Sequence, residues 1–223
     1  MVTAATSDFA AARRFMVDGQ IRTNKVTDES LLAALADLPR ELFAPAELRA
    51  RAYLDDDLPL GGGRYMMEPM VLARLLQALQ IADGDAVLVV GANTGYGAAL
   101  AAMLGGAVTA LESDYKLLDA ARRSLGGVNV ARPVECVAGP LTEGYAARAP
   151  YKAILIEGAI EEVPPALAQQ LAEGGRLAAV QAQGGIGRAI LSTKAAGNLS
   201  SRVLFDANVY MLPGFAKPRG FTF

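Results

Sequence analysis

The sequence predicts an α/β protein built on a mostly parallel sheet. From residue 86 to residue 181, apolar strand-like runs alternate with segments whose apolar residues repeat at helical spacing. Strands and helices that alternate in this way are joined by crossover connections, which make neighbouring strands parallel. The first strand leads into a glycine-rich turn, Gly91 to Gly97, and then into a helix of small residues. In α/β proteins such a turn usually receives a nucleotide-like ligand.

The alternation gives an ordered set of strands and helices. Strands are expected at 86–90, 108–112, 133–137, 153–157 and 175–181, and helices at 96–104, 115–124, 141–147 and 164–172. Two further strand-like segments, 189–193 and 201–210, flank the turn Ala196-Gly197-Asn198. Because a short turn between two strands is typical of a hairpin, these segments are expected to form an antiparallel edge.

The first 80 residues have a different pattern, with short helices and loops. Helices are expected at 8–22, 28–38, 47–51 and 70–80. Thr27 is the expected N-cap of the second helix, and Pro39 ends it. Residues 52–70 lack periodicity and are predicted to form a loop, in which Gly61-Gly62-Gly63 is a flexible connection.

Composition and charge limit the classes of function. The 223 residues include 21 Lys and Arg against 23 Asp and Glu, and this net charge of −2 does not indicate a nucleic acid or a membrane as partner. The chain has no histidine, which excludes imidazole general bases, Ser-His triads and histidine metal sites. The acidic run Asp55–Asp57 is typical of a solvated turn, so no metal site is expected.

The number of cysteines and the N-terminal residues indicate the cellular compartment of the protein. The single cysteine, Cys136, excludes an internal disulfide and suits a cytoplasmic protein. The N-terminal residues lack a basic leader followed by an apolar core, so no signal peptide is predicted.

The spacing of the glycine turn narrows its ligand. A dinucleotide fingerprint reads Gly-x-Gly-x-x-Gly, whereas this turn reads Gly-x-x-x-Gly-x-Gly, and no phosphate-binding Gly-Lys-Ser/Thr follows. Glu112 lies 21 residues after Gly91, about the offset at which an acid reaches ribose hydroxyls. A ligand with a ribose but no phosphate, such as S-adenosylmethionine, fits better than NAD or ATP, and a tight turn without a ligand is the alternative. The candidate cofactor contacts are Gly91, Asn93, Gly95, Tyr96 and Glu112.

An ordered series of motifs runs along nearly the whole chain. The motifs are Met16-Val17-x-x-Gln20-Ile21-Arg22, Val26-Thr27-Asp28, Leu38-Pro39-Arg40-Glu41-Leu42-Phe43-Ala44-Pro45, Leu58-Pro59-Leu60-Gly61, Val87 to Gly97, Glu112 and Gly174-Gly175-Arg176-Leu177. This series resembles the protein-L-isoaspartate O-methyltransferase family. The resemblance implies a Rossmann-like class I methyltransferase fold, with a seven-stranded, mostly parallel sheet and helices on both faces. It also implies an N-terminal helical extension with a substrate loop in residues 1–80, a methyltransferase domain in residues 81–223, and S-adenosylmethionine as cofactor.

The resemblance implies methyl transfer to the carboxylate of isoaspartyl residues in a protein or peptide substrate, which begins their repair. In the family, Thr and Ser hydroxyls of one loop contact this carboxylate, and the matching run here is Arg64-Tyr65-Met66-Met67-Glu68-Pro69. Arg64, Tyr65 and Met67 are therefore the substrate-loop candidates. The Met67 thioether cannot donate a hydrogen bond to a carboxylate, and Glu68 would repel one. Arg64 either pairs with a carboxylate at two points or lies exposed in the loop.

Three further positions depart from the family pattern. Val89 stands where the family has an acid before the first glycine, and Ala138 stands where an aspartate approaches the adenine. Glu157 replaces a small neutral residue at the end of the predicted strand 153–157, either as a functional acid or as a helix cap. Met67, Val89 and Ala138 motivate an alternative function, a catalytically silent relative that uses the fold as a binding or interaction module. An NAD-dependent oxidoreductase is disfavoured by the glycine spacing.

Overall fold

Seven strands form one sheet within the described part of the computed structural model, residues 8–130 and 132–217. A separate hairpin of β1 (Leu58–Gly61) and β2 (Arg64–Met66) precedes them. The sheet strands are β3 (Ala86–Val90), β4 (Ala107–Glu112), β5 (Glu135–Ala138), β6 (Tyr151–Ile160), β7 (Leu171–Gln183), β8 (Ile186–Ala195) and β9 (Asn198–Asp206). They lie in the order β5-β4-β3-β6-β7-β8-β9, parallel from β5 to β7 and antiparallel from β7 to β9. The predicted parallel sheet with an antiparallel edge is confirmed.

The strand order reverses at β3. From β3 the chain continues outward to β4 and β5, and it then returns to place β6 on the other side of β3. The carboxyl end of β3 therefore lies beside the second half of β6, with Val90 opposite Ile156. In open α/β sheets ligands bind in the crevice that such a reversal creates. Gly91 and Glu157, which come next in the chain, border this crevice.

Side chains of the central strands alternate between two apolar layers. In β3, Val87 and Val89 belong to the layer on one face, whereas Leu88 and Val90 belong to the layer on the other face. All four are fully buried, as parallel strands are when both faces of the sheet are covered. The two layers therefore hold the crevice-forming strands in place from both sides.

Helices cover both faces of the sheet. The α-helices of the described residues are α1 (Phe9–Met16), α2 (Glu29–Asp37), α3 (Pro69–Leu79), α4 (Tyr96–Met103), α5 (Tyr115–Gly126) and α6 (Pro165–Gln170). Helices α1 to α4 contribute to the first apolar layer, and α6 contributes Leu167 to the second. The helix expected at 8–22 is confirmed, since a π-helical turn and a 3-10 turn continue α1 to Asn24. None of these described helices is long and apolar enough to cross a membrane.

Some sequence predictions concern residues that the structure does not describe. The expected absence of a signal peptide rests partly on residues 1–7, which lie outside the described part of the chain. The outer ends of the expected segments 1–80 and 81–223 also lie outside it, at residues 1–7 and 218–223.

Two helix predictions are wrong in detail. Asp28 and not Thr27 is the N-cap of α2, because the Asp28 carboxylate accepts a hydrogen bond from Leu31 N at 3.0 Å. In place of the α-helix expected at 141–147 there are two 3-10 turns, Leu141–Glu143 and Ala146–Arg148. Gly144 separates them with a φ of +67°, a left-handed conformation that ends a helix.

The loop expected at 52–70 contains the hairpin of β1 and β2. Leu58 pairs with Met66 and Gly61 with Arg64, so the turn between the strands is Gly62-Gly63. Both turn glycines have positive φ values, +59° and +73°, which glycine adopts without steric cost. The glycine run is therefore a defined hairpin turn, and the prediction of a flexible connection is wrong.

The chain after β9 returns across the carboxyl end of β6. Ala159 N donates a hydrogen bond to Tyr210 O at 2.9 Å, and Leu212 N donates one to Ala159 O at 2.9 Å. Leu212 and Phe215 are buried in the second apolar layer. These residues belong to the C-terminal segment, 207–217, which covers the crevice from the side of β6. The last strand was predicted to reach residue 210, but it ends at Asp206 and leaves this segment free to turn back.

The Arg40 side chain contacts three separate segments of the chain near the crevice. Its side chain is fully buried, with Nε 2.7 Å from Ala52 O and Nη2 2.7 Å from Met67 O. The guanidinium lies 4.8 Å from the centre of the Tyr96 ring. Burial lowers the pKa of Arg40 from its usual value, which the nearby Tyr96 partly offsets. Arg40 therefore joins the N-terminal part of the chain to the hairpin and to α4.

Replacing Arg40 by methionine tests this connection. Methionine keeps much of the apolar volume but leaves two buried carbonyls without donors, each at a cost of about 1–3 kcal/mol. We expect Arg40→Met to lower the free energy of unfolding by about 2–4 kcal/mol in urea titrations. The control Arg49→Met, at an exposed position of the neighbouring 3-10 helix, should change it by less than about 0.5 kcal/mol. An unchanged urea midpoint for Arg40→Met would mean that the two carbonyls find other donors.

Candidate active site

The glycine turn folds back onto the end of β4. Gly91 N donates a hydrogen bond to Leu111 O at 2.9 Å. Gly91, Asn93 and Gly95 have φ values of +70°, +53° and +96°, so the chain is left-handed at three positions before α4 begins. This conformation brings Gly91 and Asn93 beside Glu112, and three of the predicted contact residues are thereby brought together.

The Glu112 carboxylate is fully buried, and its two oxygens accept six hydrogen bonds, one of them from Ser113 Oγ at 3.5 Å. Oε1 accepts from Ser113 N at 2.7 Å and Asp114 N at 2.9 Å, and Oε2 accepts from Asn93 N at 2.9 Å. Arg64 adds two more, with Nη1 2.5 Å from Oε1 and Nη2 2.8 Å from Oε2. A carboxylate has about four lone-pair positions, so both oxygens are saturated.

Arg64 is buried, with 4% of its side chain exposed, and the alternative of an exposed loop arginine is wrong. It pairs at two points with a carboxylate, as the other alternative expected, but the partner is Glu112 of the same chain. Its Nη2 also donates to Asn93 Oδ1 at 3.0 Å. The pair joins positions 48 residues apart, which sequence reasoning did not connect. The available signal was that Arg64 is the only cation in the segment 52–70.

Leu212 of the C-terminal segment packs directly on the glycine turn. A Cβ atom at Gly91 would lie 2.9 Å from Leu212 Cδ1, and one at Gly158 would lie 2.9 Å from Leu212 Cβ. A side chain at either glycine would therefore collide with Leu212. Sequence reasoning missed this residue, because no motif marks a lone leucine beyond the last strand.

Little open space remains on the side of the crevice that β6 borders, whereas a cavity of about 550 Å³ lined by Leu60, Thr94 and Leu117 adjoins the glycine turn. A cavity of about 10 Å³ lies between the hairpin, β6 and the C-terminal segment, which is room for about one water molecule. Tyr65 and Tyr210 both line it, and their rings stack with centres 3.5 Å and planes 4° apart. Met67 also lines it and is buried. The three substrate-loop candidates, Arg64, Tyr65 and Met67, thus line one small cavity.

Several buried polar atoms around the turn have no hydrogen-bond partner. They are Asn93 Nδ2, Thr94 Oγ1, Tyr96 OH and Glu157 Oε1. Because buried polar atoms in folded proteins are nearly always paired, four of them at one site indicate a place for a polar ligand or ordered water. Tyr96 faces the Arg40 side of the site, with its ring edge on Phe43 at 5.4 Å between ring centres. Burial raises the pKa of Tyr96 to about 12.

Two of the departures from the family pattern have a clear structural setting. Val89 is fully buried in the first apolar layer, so its side chain packs in the core. Ala138 ends β5 opposite Glu112 and has no side-chain acceptor to present there. The structure therefore contains no replacement for either acid at these two described positions.

Glu157 lies buried in the second half of β6, where the pairing with β7 is irregular between Leu155 and Ala159. It packs against Gly97 in the first turn of α4, where a Cβ atom would overlap its carboxyl group. Since Glu157 Oε1 has no partner, the structure gives no support to the helix-cap alternative, and a functional acid remains the hypothesis. Burial raises the pKa of Glu157 to about 8, although the Asn93 side chain and Arg40 lower it. The carboxyl group is therefore mostly neutral at pH 7.

The raised pKa of Glu157 makes stability depend on pH. A carboxyl group with a pKa of about 8 when folded and near 4.5 when unfolded holds its proton more tightly in the folded state. The free energy of unfolding therefore falls as pH rises from 4.5 through 8. We expect Glu157→Gln to remove this dependence and to exceed the wild type in stability at pH 9 by roughly 2–4 kcal/mol.

Urea unfolding of both proteins at pH 5, 7 and 9 measures this effect. The difference between the unfolding free energies of the two proteins cancels the contributions of ionisable groups that both contain. Glu68 is one of these groups, since burial and nearby acids raise its pKa to about 7. A difference that stays constant with pH would contradict the raised pKa of Glu157.

Comparisons with known proteins agree with this architecture. The sequence model of the family described as protein-L-isoaspartate(D-aspartate) O-methyltransferase matches residues 12–205. A protein-L-isoaspartate O-methyltransferase of Koribacter versatilis (strain Ellin345) is 38% identical over 209 residues, which are 92% of this chain and 92% of the relative. The enzyme of the same name from Methanoculleus marisnigri is 41% identical over 167 residues, 75% of this chain and 76% of the relative.

Solved structures share the fold. A protein-L-isoaspartate O-methyltransferase superposes with a TM-score of 0.76 at 24% identity, covering 91% of this chain and 66% of that chain. A Plasmodium falciparum chain assigned to the same enzyme class was solved with S-adenosyl-L-homocysteine. It superposes with a TM-score of 0.74 at 17% identity, and the match covers 90% of this chain and 97% of the Plasmodium chain. The family match and these superpositions together show that the chain belongs to the protein-L-isoaspartate O-methyltransferase family and has its Rossmann-like class I methyltransferase fold.

Proposed function

We propose that the chain is an S-adenosylmethionine-dependent protein-L-isoaspartate O-methyltransferase. It methylates the carboxylate of isoaspartyl residues in proteins and so begins their repair. Membership of the family supports this, with 38% identity to a relative across 92% of both chains. The observation that carries it is a buried carboxylate, Glu112, held beside Gly91 where the strand order reverses. The family match gives no support to the alternative of a catalytically silent relative.

The residues around the crevice fit a polar cofactor that carries a ribose. Glu112 would accept hydrogen bonds from the ribose hydroxyls, and the bare backbone of Gly91 would admit a close approach once Leu212 and Arg64, which now contact it, have moved. Asn93 Nδ2, Thr94 Oγ1 and Glu157 Oε1 have no protein partner and would face the rest of the ligand. When bound, S-adenosylmethionine supplies a methyl group on a positively charged sulfur. A positive charge near Glu157 favours the ionised carboxylate and lowers its pKa.

The chain contributes positioning and exclusion of water to the methyl transfer. An oxygen of the substrate carboxylate is itself the nucleophile, so an oxygen–carbon bond forms as the carbon–sulfur bond breaks and the sulfur keeps the electron pair. No proton is removed in this step, and a chain without histidine is suited to it. Tyr65, stacked on Tyr210, and the buried Met67 would keep water from the reacting atoms.

The remaining assignments follow from sequence and family. Residues 1–80 serve as the N-terminal extension with the substrate loop, and residues 81–223 as the methyltransferase domain. Proteins or peptides with isoaspartyl residues are the partners, and a net charge of −2 argues against a nucleic acid or an anionic membrane. A single cysteine suits a cytoplasmic location.

The function is tested with a matched pair of peptides. The purified chain is incubated with methyl-labelled S-adenosylmethionine and two peptides of the same sequence, one with an isoaspartyl and one with an aspartyl residue. We expect a base-labile methyl ester on the isoaspartyl peptide and background labelling of the aspartyl peptide. Background labelling of both peptides, or equal labelling of both, would contradict the proposed function.

The role of Glu112 is tested by Glu112→Ala. The variant loses both acceptor oxygens, and we expect kcat/KM for the cofactor to fall at least about tenfold. The control is Glu135→Ala on the neighbouring strand β5, whose carboxylate pairs with Arg148 at 2.8 Å, and it should retain the wild-type value. Circular dichroism checks that both variants are folded. A wild-type kcat/KM in Glu112→Ala would exclude Glu112 as a cofactor contact.

A further inference from the structure

We propose that Arg64 binds the substrate carboxylate and becomes free to do so when the cofactor takes its place on Glu112. The inference rests on the proposed function, and it adds a specificity-determining residue and a binding order to the same site. It follows from the saturation of Glu112, from the attachment of Arg64 to a small hairpin, and from the scarcity of other cations around the cavity.

The Glu112 carboxylate cannot accept hydrogen bonds from Arg64 and from a ribose at the same time. Its two oxygens already accept six hydrogen bonds, against about four lone-pair positions. Three of the donors are backbone N–H groups of the glycine turn and of the residues after β4, and these positions are fixed by the sheet. The side-chain donors, which can leave, are the two Arg64 nitrogens, one on each oxygen, and the Ser113 hydroxyl at 3.5 Å from Oε1.

The attachment of Arg64 allows it to leave. It is the first residue of β2, a three-residue strand that pairs only with β1 among the described strands. The turn before it contains Gly62 and Gly63, and a Cβ atom at Gly63 would meet nothing within 4 Å. The Arg64 side chain can therefore leave Glu112 without breaking a strand pairing of the seven-stranded sheet.

A displaced Arg64 needs another anion, because a buried guanidinium without a partner is costly. The acids that line the same cavity are Asp57 and Glu157. The Asp57 carboxylate already accepts a hydrogen bond from Glu68 N at 2.7 Å, and burial raises its pKa. Glu157 faces the crevice from β6 and would be near the positive charge of the cofactor. The substrate carboxylate is the anion that the reaction itself brings to this cavity.

Arg64 is also the donor that the substrate needs. Met67 offers a thioether, which does not donate hydrogen bonds, and Tyr65 is held in its stack with Tyr210. The other buried arginine nearby, Arg40, donates to the carbonyls of Ala52 and Met67. Arg64 is the only cation in the segment 52–70, and its planar fork matches a carboxylate at two points.

The exchange couples the two ligands. In the free chain Arg64 is occupied, so the substrate binds weakly, and the cofactor must break two charged hydrogen bonds to reach Glu112. Each ligand therefore raises the affinity for the other, and by thermodynamic linkage the two factors are equal. Arg64→Met removes the group that competes with the cofactor for Glu112, and with it the coupling between the two ligands.

Isothermal titration calorimetry with S-adenosylhomocysteine tests the exchange directly. We expect Arg64→Met to bind it about tenfold more tightly than the wild type, in the absence of peptide. The isoaspartyl peptide should tighten S-adenosylhomocysteine binding to the wild type but not to Arg64→Met. In turnover, the KM for the peptide should rise at least about tenfold in Arg64→Met, with a smaller change in kcat.

Two further variants make the outcome decisive. Arg64→Lys keeps the charge without the two-point geometry, and its binding constants and KM should lie between those of the wild type and Arg64→Met. The exposed Arg49→Met serves as control and should match the wild type. The proposal would be overturned if both Arg64 variants had the wild-type affinity for S-adenosylhomocysteine and the wild-type KM for the peptide. If Arg64→Met does not fold, the result for Arg64→Lys is used by itself. A wild-type chain that binds no S-adenosylhomocysteine and methylates no peptide would instead overturn the proposed function.

Discussion

The ion pair between Arg64 and Glu112 connects the hairpin, the glycine turn and the end of β4. Removing two charges from water costs several kcal/mol per ion in typical cases, and only good geometry with further hydrogen bonds offsets that cost. Here the guanidinium meets both carboxylate oxygens, and three backbone N–H groups complete the coordination of the acid. The hairpin lies inward beside this contact, and Met67, which follows it, is buried.

Two of the features that prepare the crevice for a ligand are occupied by residues of the chain itself. Arg64 sits on the acid that would hold a ribose, and Leu212 covers the bare backbone of Gly91 and Gly158. Burial keeps Glu157 mostly neutral, so the closed crevice does not hold a second uncompensated carboxylate. Closure without a ligand thus has a physical basis in charge pairing and apolar packing. The same contacts set the free energy that a ligand must supply to open the site.

Features that depend on local, periodic sequence patterns were predicted correctly, whereas contacts between residues far apart in the chain were not. The alternation of strands and helices predicted the parallel sheet, and the glycine spacing with Glu112 predicted which residues meet at its edge. The pairing of Arg64 with Glu112 and the position of Leu212 were missed because these contacts join distant parts of the chain, 48 residues apart in the case of Arg64. The hairpin at 58–66 was predicted as loop because strands of three and four residues are too short to show a period. At Gly144 a left-handed residue overrode an apolar pattern that resembled a helix.

The stacked pair of Tyr65 and Tyr210 gives the protein an optical property of its own. The chain has seven tyrosines and no tryptophan, so its near-ultraviolet absorption and emission come from phenol rings with no stronger chromophore to mask them. The two rings belong to different elements, one to β2 and the other to the C-terminal segment, with centres 3.5 Å apart. When the hairpin and this segment separate, their electronic coupling is lost. Near-ultraviolet circular dichroism can therefore follow the opening of the crevice in the unlabelled protein.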